Sequence, residues 1–192
     1  MSNGAMSGEA PLIRPSRDDD VGAIAAIYGY HVMHGVASFE ETVPTVEEIA
    51  RRRAEIVARG LPYLVAERER QVVGYCYAGL FRPRSAYRFT LEDSIYVDAA
   101  EVGRGIGRAL LEPLLLRSAE LGFRQMVAVV GGTETIPSIR LHEALGFTHA
   151  GVLPAVGFKF GRWIDIVLMQ RALGPGAATL PDAAPRSALT GG

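Results

Sequence analysis

Three glycines within five residues, Gly103-Arg104-Gly105-Ile106-Gly107, separate the run Ser94-Ile95-Tyr96-Val97 from an apolar stretch of helical spacing. That arrangement imposes a strand, a tight turn and a helix in direct succession. Glycine tolerates φ values that side chains forbid, and it leaves no Cβ to hold a ligand away from the backbone. Unpaired N–H groups at the start of the helix then point outward, where the helix dipole also favours negative charge. A pyrophosphate fits such a turn. Two other phosphate loops are excluded. A Walker-type loop ends in Gly-Lys-Ser/Thr, whereas Gly107 is followed by Arg108-Ala109. A dinucleotide fingerprint needs a third glycine where Arg108 stands, and its strand comes early in the chain.

The elements around this turn alternate. A short strand is expected over 12–14, followed by a capping box at Ser16-Arg17-Asp18-Asp19 and a helix carrying Val21, Ile24, Ile27, Tyr28 and Val32. A second box, Thr45-Val46-Glu47-Glu48, opens a helix with Ile49, Arg53 and Ile56 on one side, closed by Gly60. Strands are expected over 64–66 and 72–78, joined by a polar turn, and again over 89–97. The helix after the glycine turn spans 105–121, with a kink expected at Pro113, where one backbone donor is lost. A buried strand over 126–130, a short helix over 137–145 and a closing strand pair, 148–156 and 163–170 around a turn at 157–161, complete the order βααβββαβαββ. Antiparallel strands with at least one strand–helix–strand crossover make an α+β sheet with helices on both faces. The ends, 1–11 and 174–192, are rich in small residues without apolar periodicity and read as disordered, leaving one domain over 12–173.

Composition narrows function mainly by exclusion. With 20 basic and 21 acidic side chains the formal charge is −1, which gives no reason to expect a nucleic-acid or anionic-membrane partner. The single cysteine, Cys76, lies in an apolar run and reads as a core residue; no disulfide within the chain and no cysteine-based metal cluster can form. No apolar run reaches the ~20 residues of a membrane span and the first residues do not form a secretory signal, so a cytoplasmic protein without metal is expected.

The stretch Ser138-Ile139-Arg140-Leu141-His142-Glu143-Ala144-Leu145-Gly146-Phe147 follows the next strand, and Gly157-Phe158-Lys159-Phe160-Gly161-Arg162-Trp163-Ile164-Asp165 lies near the end. Together with Thr90-Leu91-Glu92-Asp93-Ser94 and the glycine turn, these segments resemble the GNAT superfamily of N-acetyltransferases, and within it the phosphinothricin and methionine-sulfoximine acetyltransferases. The resemblance runs from about Ile13 to Leu173. It implies a mixed, mostly antiparallel central sheet with a splayed strand pair, acetyl-CoA as co-substrate, and a homodimer with contacts near 158–166. It further implies that Ser94, Ile95, Tyr96 and Val97 pair with the pantetheine arm while Val102, Gly103, Arg104, Gly105, Ile106, Gly107 and Arg108 cradle the pyrophosphate, helped by Thr135 and Ser138. Two positions depart from the family pattern: Val102 stands where Gln or Arg is usual, and Thr135 stands for an asparagine.

Acetyl transfer to an amine needs a base for the ammonium, donors for the carbonyl oxygen and a proton for the leaving thiolate. Glu92 is the candidate base, because a carboxylate among apolar neighbours has a raised pKa. Asp93 points to the other face of the strand and is the weaker choice. Amides near Ile95 to Val97 are candidate oxyanion donors. His142 is the candidate acid, since the resemblance places the family's proton donor there. Around the substrate, Arg82 is placed to bind a carboxylate bidentately, with Arg84 and Arg88 as alternatives and Phe39, Phe81, Pro83, Leu91 and Asp93 as neighbours. These residues suit transfer to the α-amine of a small amino-acid-like molecule. The rival readings are acetylation of protein N-termini or lysines, and a non-catalytic acyl-CoA-binding module.

Overall fold

Alternation along the central strands decides which helix covers which face. In Thr90–Val97 the side chains of Leu91 and Asp93 are buried on one side, while Tyr96 is buried on the other, with Glu92 and Ser94 half-buried. The computed structural model describes residues 10–133 and 135–186. Its strands are β1 (Leu12–Pro15), β2 (Tyr63–Arg68), β3 (Gln71–Leu80), β4 (Thr90–Val97), β5 (Gln125–Gly131), β6 (Thr148–Lys159) and β7 (Arg162–Ala172). The helices are α1 (Val21–His34), α2 (Val46–Ala58), α3 (Ile106–Glu120) and α4 (Ile136–Ala144). The strands form one sheet in the order β1-β2-β3-β4-β5-β7-β6, antiparallel except for the β4–β5 pair. The expected α+β order is therefore the observed one.

One core lies between the sheet and α3, where Leu110, Leu111 and Leu114 meet Leu64, Cys76, Leu91 and Met126. The other lies under α1 and α2, where Ile24, Ile27, Tyr28 and Ile49 meet Tyr63, Tyr75 and Tyr96. Thr45 caps α2 as its sequence predicts, its Oγ1 accepting the Glu48 N–H at 3.2 Å.

The feature that matters for the site is where pairing stops. β4 pairs with β3 along its whole length. It pairs with β5 only from Thr90 to Asp93, opposite Gln125 to Ala128, while β5 continues to Gly131 bonded to β7 alone. The two strands part beyond Asp93 and Ala128. The Asp98 N–H donates to Val73 O, so the alternating register turns the backbone of Ser94 and Tyr96 toward β3 and that of Ile95 and Val97 into the gap.

Several boundaries differ from expectation. Ser16 does not cap a helix; its Oγ accepts Arg53 Nε at 2.8 Å. The acid of that region is instead Asp20, which takes the Arg17 N–H at 2.6 Å at the head of a short 3₁₀ turn, Asp18–Asp20. The β6–β7 hairpin does not turn over 157–161. β6 runs through Gly157 to Lys159, and the reversal is made by Phe160 and Gly161 alone, both left-handed at φ 53° and 72°, as a two-residue hairpin loop requires. Helix α3 continues across Pro113 and begins after Gly105. The segment after β7 was expected to have no fixed place, yet its first part has one. The Arg186 N–H donates to Leu121 O at 2.8 Å and Pro185 is buried beside Gly122. Residues 1–9 and 187–192 lie outside the described residues.

Candidate active site

The gap between β4 and β5 opens into a cleft of about 1080 Å³ that reaches from the glycine turn to the loop after α1. Its middle is a bare strand edge. The His31 side chain on α1 donates from Nε2 to Val97 O at 2.8 Å, leaving the Ile95 and Val97 N–H groups and the Ile95 carbonyl on an edge that no strand covers. An extended chain of amides can pair with that edge as an added strand would.

At one end, Gly103 and Gly105 adopt φ values of 82° and 78°, and a Cβ on either would meet no atom within 4 Å. They supply the left-handed turn and the open approach. Gly107 is different: its backbone lines the cleft, but a Cβ would lie 2.9 Å from Leu141 Cδ2 on α4. Its missing side chain leaves room for Leu141 as well as an open backbone. Val102, Ile106 and Arg108 line the cleft, whereas Arg104 is exposed and turns to Glu101 at 3.3 Å. Glu101 also takes the Arg68 guanidinium, which fastens the turn to β2. Thr135 lines the cleft with its hydroxyl committed, donating to Gly131 O at 2.6 Å.

Glu92 and His142 both line the middle of the cleft. Burial pushes the Glu92 carboxyl up, the nearby Asp93 charge adds to the shift, and Arg82 opposes it. His142 is 2% exposed and is not a free acid. Its Nδ1–H donates to Ser138 O at 2.7 Å and its Nε2–H to Asp93 Oδ2 at 3.0 Å. Both neighbours are acceptors, so the protonated ring satisfies both. Burial opposes that charge, but the Asp93 carboxylate and the Ser138 carbonyl outweigh it and the His142 pKa is raised. Asp93, expected beside the substrate, lines the cleft and is buried there as the partner of His142, with its Oδ1 unpartnered.

The far end of the cleft is built by the loop after α1. Ser38, Phe39 and Glu40 line it together with Tyr28, Gly131 and Ile166. Tyr28 OH bonds Ser38 Oγ at 2.7 Å and donates to Glu40 Oε1 at 2.9 Å. Phe39 stands where the sequence suggested an aromatic wall. The other expected substrate contacts are elsewhere. Leu91 is fully buried in the α3-side core, where strand alternation puts it. Phe81, Arg82 and Pro83 lie in the β3–β4 loop outside the cleft lining, with the Arg82 guanidinium 5.0 Å from the centre of the Phe81 ring. Sequence reasoning missed His31, Ser38 and Glu40. The only signal for them was their adjacency to Phe39 or their place on the last turns of α1.

Residues 13–168 match the acetyltransferase (GNAT) domain family. The chain is 54% identical to a phosphinothricin N-acetyltransferase of Alcaligenes faecalis, over 90% of this chain and 88% of that protein. It is 40% identical to an L-methionine sulfoximine/L-methionine sulfone acetyltransferase of Salmonella typhimurium, over 89% and 98%. Among solved structures, the phosphinothricin acetyltransferase of Sinorhizobium meliloti in complex with acetyl-CoA superposes with a TM-score of 0.88 at 48% identity, covering 91% of this chain and 95% of that one. A ribosomal-protein-alanine N-acetyltransferase from Brucella melitensis superposes with a TM-score of 0.82 at 40% identity, covering 84% and 99%. With its parted strands, open edge and glycine turn, the chain belongs to the GNAT acetyltransferase family. Within that family the relatives named above are N-acetyltransferases of phosphinothricin and of methionine sulfoximine or sulfone, and the chain is 54% and 40% identical to them.

The buried pair predicts a pH-dependent stability. A histidine whose folded pKa is raised contributes stability that is fully present below its unfolded pKa of about 6.5 and is lost as pH climbs through the folded value. Asp93→Asn should therefore cost about 1.5–3 kcal/mol near pH 6, the range for hydrogen bonds to charged groups, and visibly less near pH 9. Urea unfolding at the two pH values measures it; an equal penalty at both would mean that the pair is not ionised.

Proposed function

We propose that the chain moves the acetyl group of acetyl-CoA to the α-amine of a small amino-acid-like molecule of the phosphinothricin, methionine sulfoximine or methionine sulfone kind, with Glu92 as general base. The observation that carries this reading is a half-buried carboxylate of raised pKa at the cleft wall, on the strand whose next residues bare the Ile95 and Val97 amides. The names of the most similar relatives support the acceptor class.

The residues fit the co-substrate. Its pantetheine amides would pair with the Ile95–Val97 edge, and the pyrophosphate would meet the amides of the turn at Gly103 and Gly105, where there is open space. The ammonium of the acceptor gives one proton to Glu92. Its freed electron pair attacks the thioester carbonyl carbon, and the oxygen takes the developing negative charge beside the strand-edge amides. Collapse breaks the C–S bond. The thiolate leaves and receives one of the two remaining amine protons, directly or through water, the other staying on the new amide, so that the net reaction releases one proton from Glu92 to solvent. His142 is left out of this transfer because both its N–H groups are already donated within the protein; it holds Asp93 and Ser138 in place.

A second reading, acetylation of a protein N-terminus, is favoured by one feature. The cleft wall carries two carboxylates, Glu92 in its middle and Glu40 at its far end, the latter shared with Arg52, and these suit an amine without a carboxylate beside it. Arg82 points the other way, since its charge is felt at Glu92. The β6–β7 hairpin further supports a homodimer, because Val156, Phe158, Phe160 and Trp163 form an exposed apolar set, with Trp163 66% exposed.

Glu92→Gln should lower kcat by about 10²–10⁴, the usual loss for a general base, and should remove the acidic limb of the kcat/KM profile. Parent-like turnover at pH 7 would exclude Glu92 as the base. Arg82→Ala should raise KM for phosphinothricin or methionine sulfoximine more than for a simple amine without a carboxylate, because only the former lose the attraction of a cation whose charge reaches Glu92. Equal losses, or preference of the parent protein for an alanine-leading peptide, would favour the second reading. Light scattering should return twice the 20.6 kDa chain mass, and a monomer would refute the dimer.

A further inference from the structure

Lys159 is 2% exposed, at the end of β6, and none of the steps above uses it. Its ammonium donates to Gly35 O at 2.8 Å and to Ser38 O at 2.7 Å, and it stands 4.9 Å from the centre of the Phe160 ring. Among the described residues no carboxylate lies within 4.0 Å of it. A buried cation is costly unless paired or well hydrogen-bonded. Here the carbonyls supply the compensation, and one of them belongs to Gly35, which closes α1 where the helix dipole favours positive charge. The charge therefore ties the far hairpin to the loop that forms the acceptor end of the cleft.

Two glycines receive the same loop. A Cβ on Gly157 would lie 2.3 Å from Phe39 Cε2, and one on Gly131 would lie 2.8 Å from Phe39 Cε1 and 2.1 Å from Val36 O. Neither has a positive φ, so their reason for being glycine is this close approach. The loop is gripped on its backbone by Lys159 and on its ring by the two strands. The side chains it then presents to the cleft are Ser38, Phe39 and Glu40.

We propose that Lys159 is a positioning residue for the acceptor: its hydrogen bonds to Gly35 O and Ser38 O set the loop that carries Phe39 and Glu40, and so set the fit of the amine substrate without touching it. The inference rests on the reading of that end of the cleft as the acceptor site. On that same reading acetyl-CoA would lie along β4 and the glycine turn, at the other end of the cleft from the gripped loop, so the two substrates should respond differently.

The test is Lys159→Met, which keeps length and apolar bulk but removes the donors. The KM for the amine should rise on the order of 10-fold or more, as expected for lost hydrogen bonds to a charged group, with the KM for acetyl-CoA unchanged within about 2-fold. Amide hydrogen exchange over residues 36–40 should accelerate while β3 and β4 keep their protection. Gly157→Ala, which keeps the ammonium but displaces the Phe39 ring, should raise the amine KM in the same direction. Equal rises for both substrates, an unchanged amine KM, or unchanged exchange at 36–40 would overturn the proposal. If Lys159→Met does not fold, a parent-like amine KM in Gly157→Ala overturns it. Should the parent protein acetylate a peptide instead of an amino acid, the acceptor-class reading fails, while the exchange measurement still decides the role of Lys159.

Discussion

Everything the cleft offers depends on hydrogen bonds that β4 and β5 do not make. Four residues of each strand pair, and then the strands separate while their outer partners, β3 and β7, continue to hold them. An unpaired strand edge inside a sheet is an energetic liability, because buried amides and carbonyls without partners are costly. The protein meets part of that cost itself, through His31 on Val97 O, and leaves the rest for a ligand that carries amides of its own. The glycine turn follows directly from the same strand. One interruption in pairing thus opens an edge that an extended chain of amides can pair with and sets it beside the glycine turn.

The two faces of the sheet divide the remaining labour. On the α3 side the packing is almost wholly aliphatic, and the one polar group driven into it near the cleft is the Asp93–His142 pair. On the α1 and α2 side the packing is aromatic, with Tyr63, Tyr75, Tyr77 and Tyr96 in near-parallel stacks and Tyr28 edge-on to Tyr96. Glu92 projects on that second side, with Ser94 and Tyr96. Strand alternation alone separates these environments, and a one-residue slip of β4 would exchange Glu92 with the buried partner of the histidine.

Much of this was legible in the sequence. The element order and the glycine turn follow from local rules of periodicity and turn chemistry, and Glu92, singled out as a candidate base, does line the cleft. What escaped was contact between distant segments. Nothing near Ser38 or Glu40 marks them as cleft residues, since the groups that hold them are distant: Lys159 on the Ser38 carbonyl, and Tyr28 and Arg52 on the Glu40 carboxylate. The pairing of Asp93 with His142 joins positions 49 apart; alternation correctly put Asp93 on the opposite face from Glu92, but not what waited on that face. The Ser16 box failed for a similar reason. Arg53, from α2, claims the serine hydroxyl that the local pattern reserved for the backbone.

Gly107 has a consequence beyond its own turn. Because Leu141 Cδ2 lies 2.9 Å from where a Cβ would go, the two positions meet between two helices. In evolutionary terms they are expected to vary together. Bulk gained at 107 has to be met by a turn of the Leu141 side chain or by a smaller residue at 141. The third glycine of the turn thus has a steric partner as well as a place in the cleft wall, and that partner lies in a segment that a motif search would never join to it.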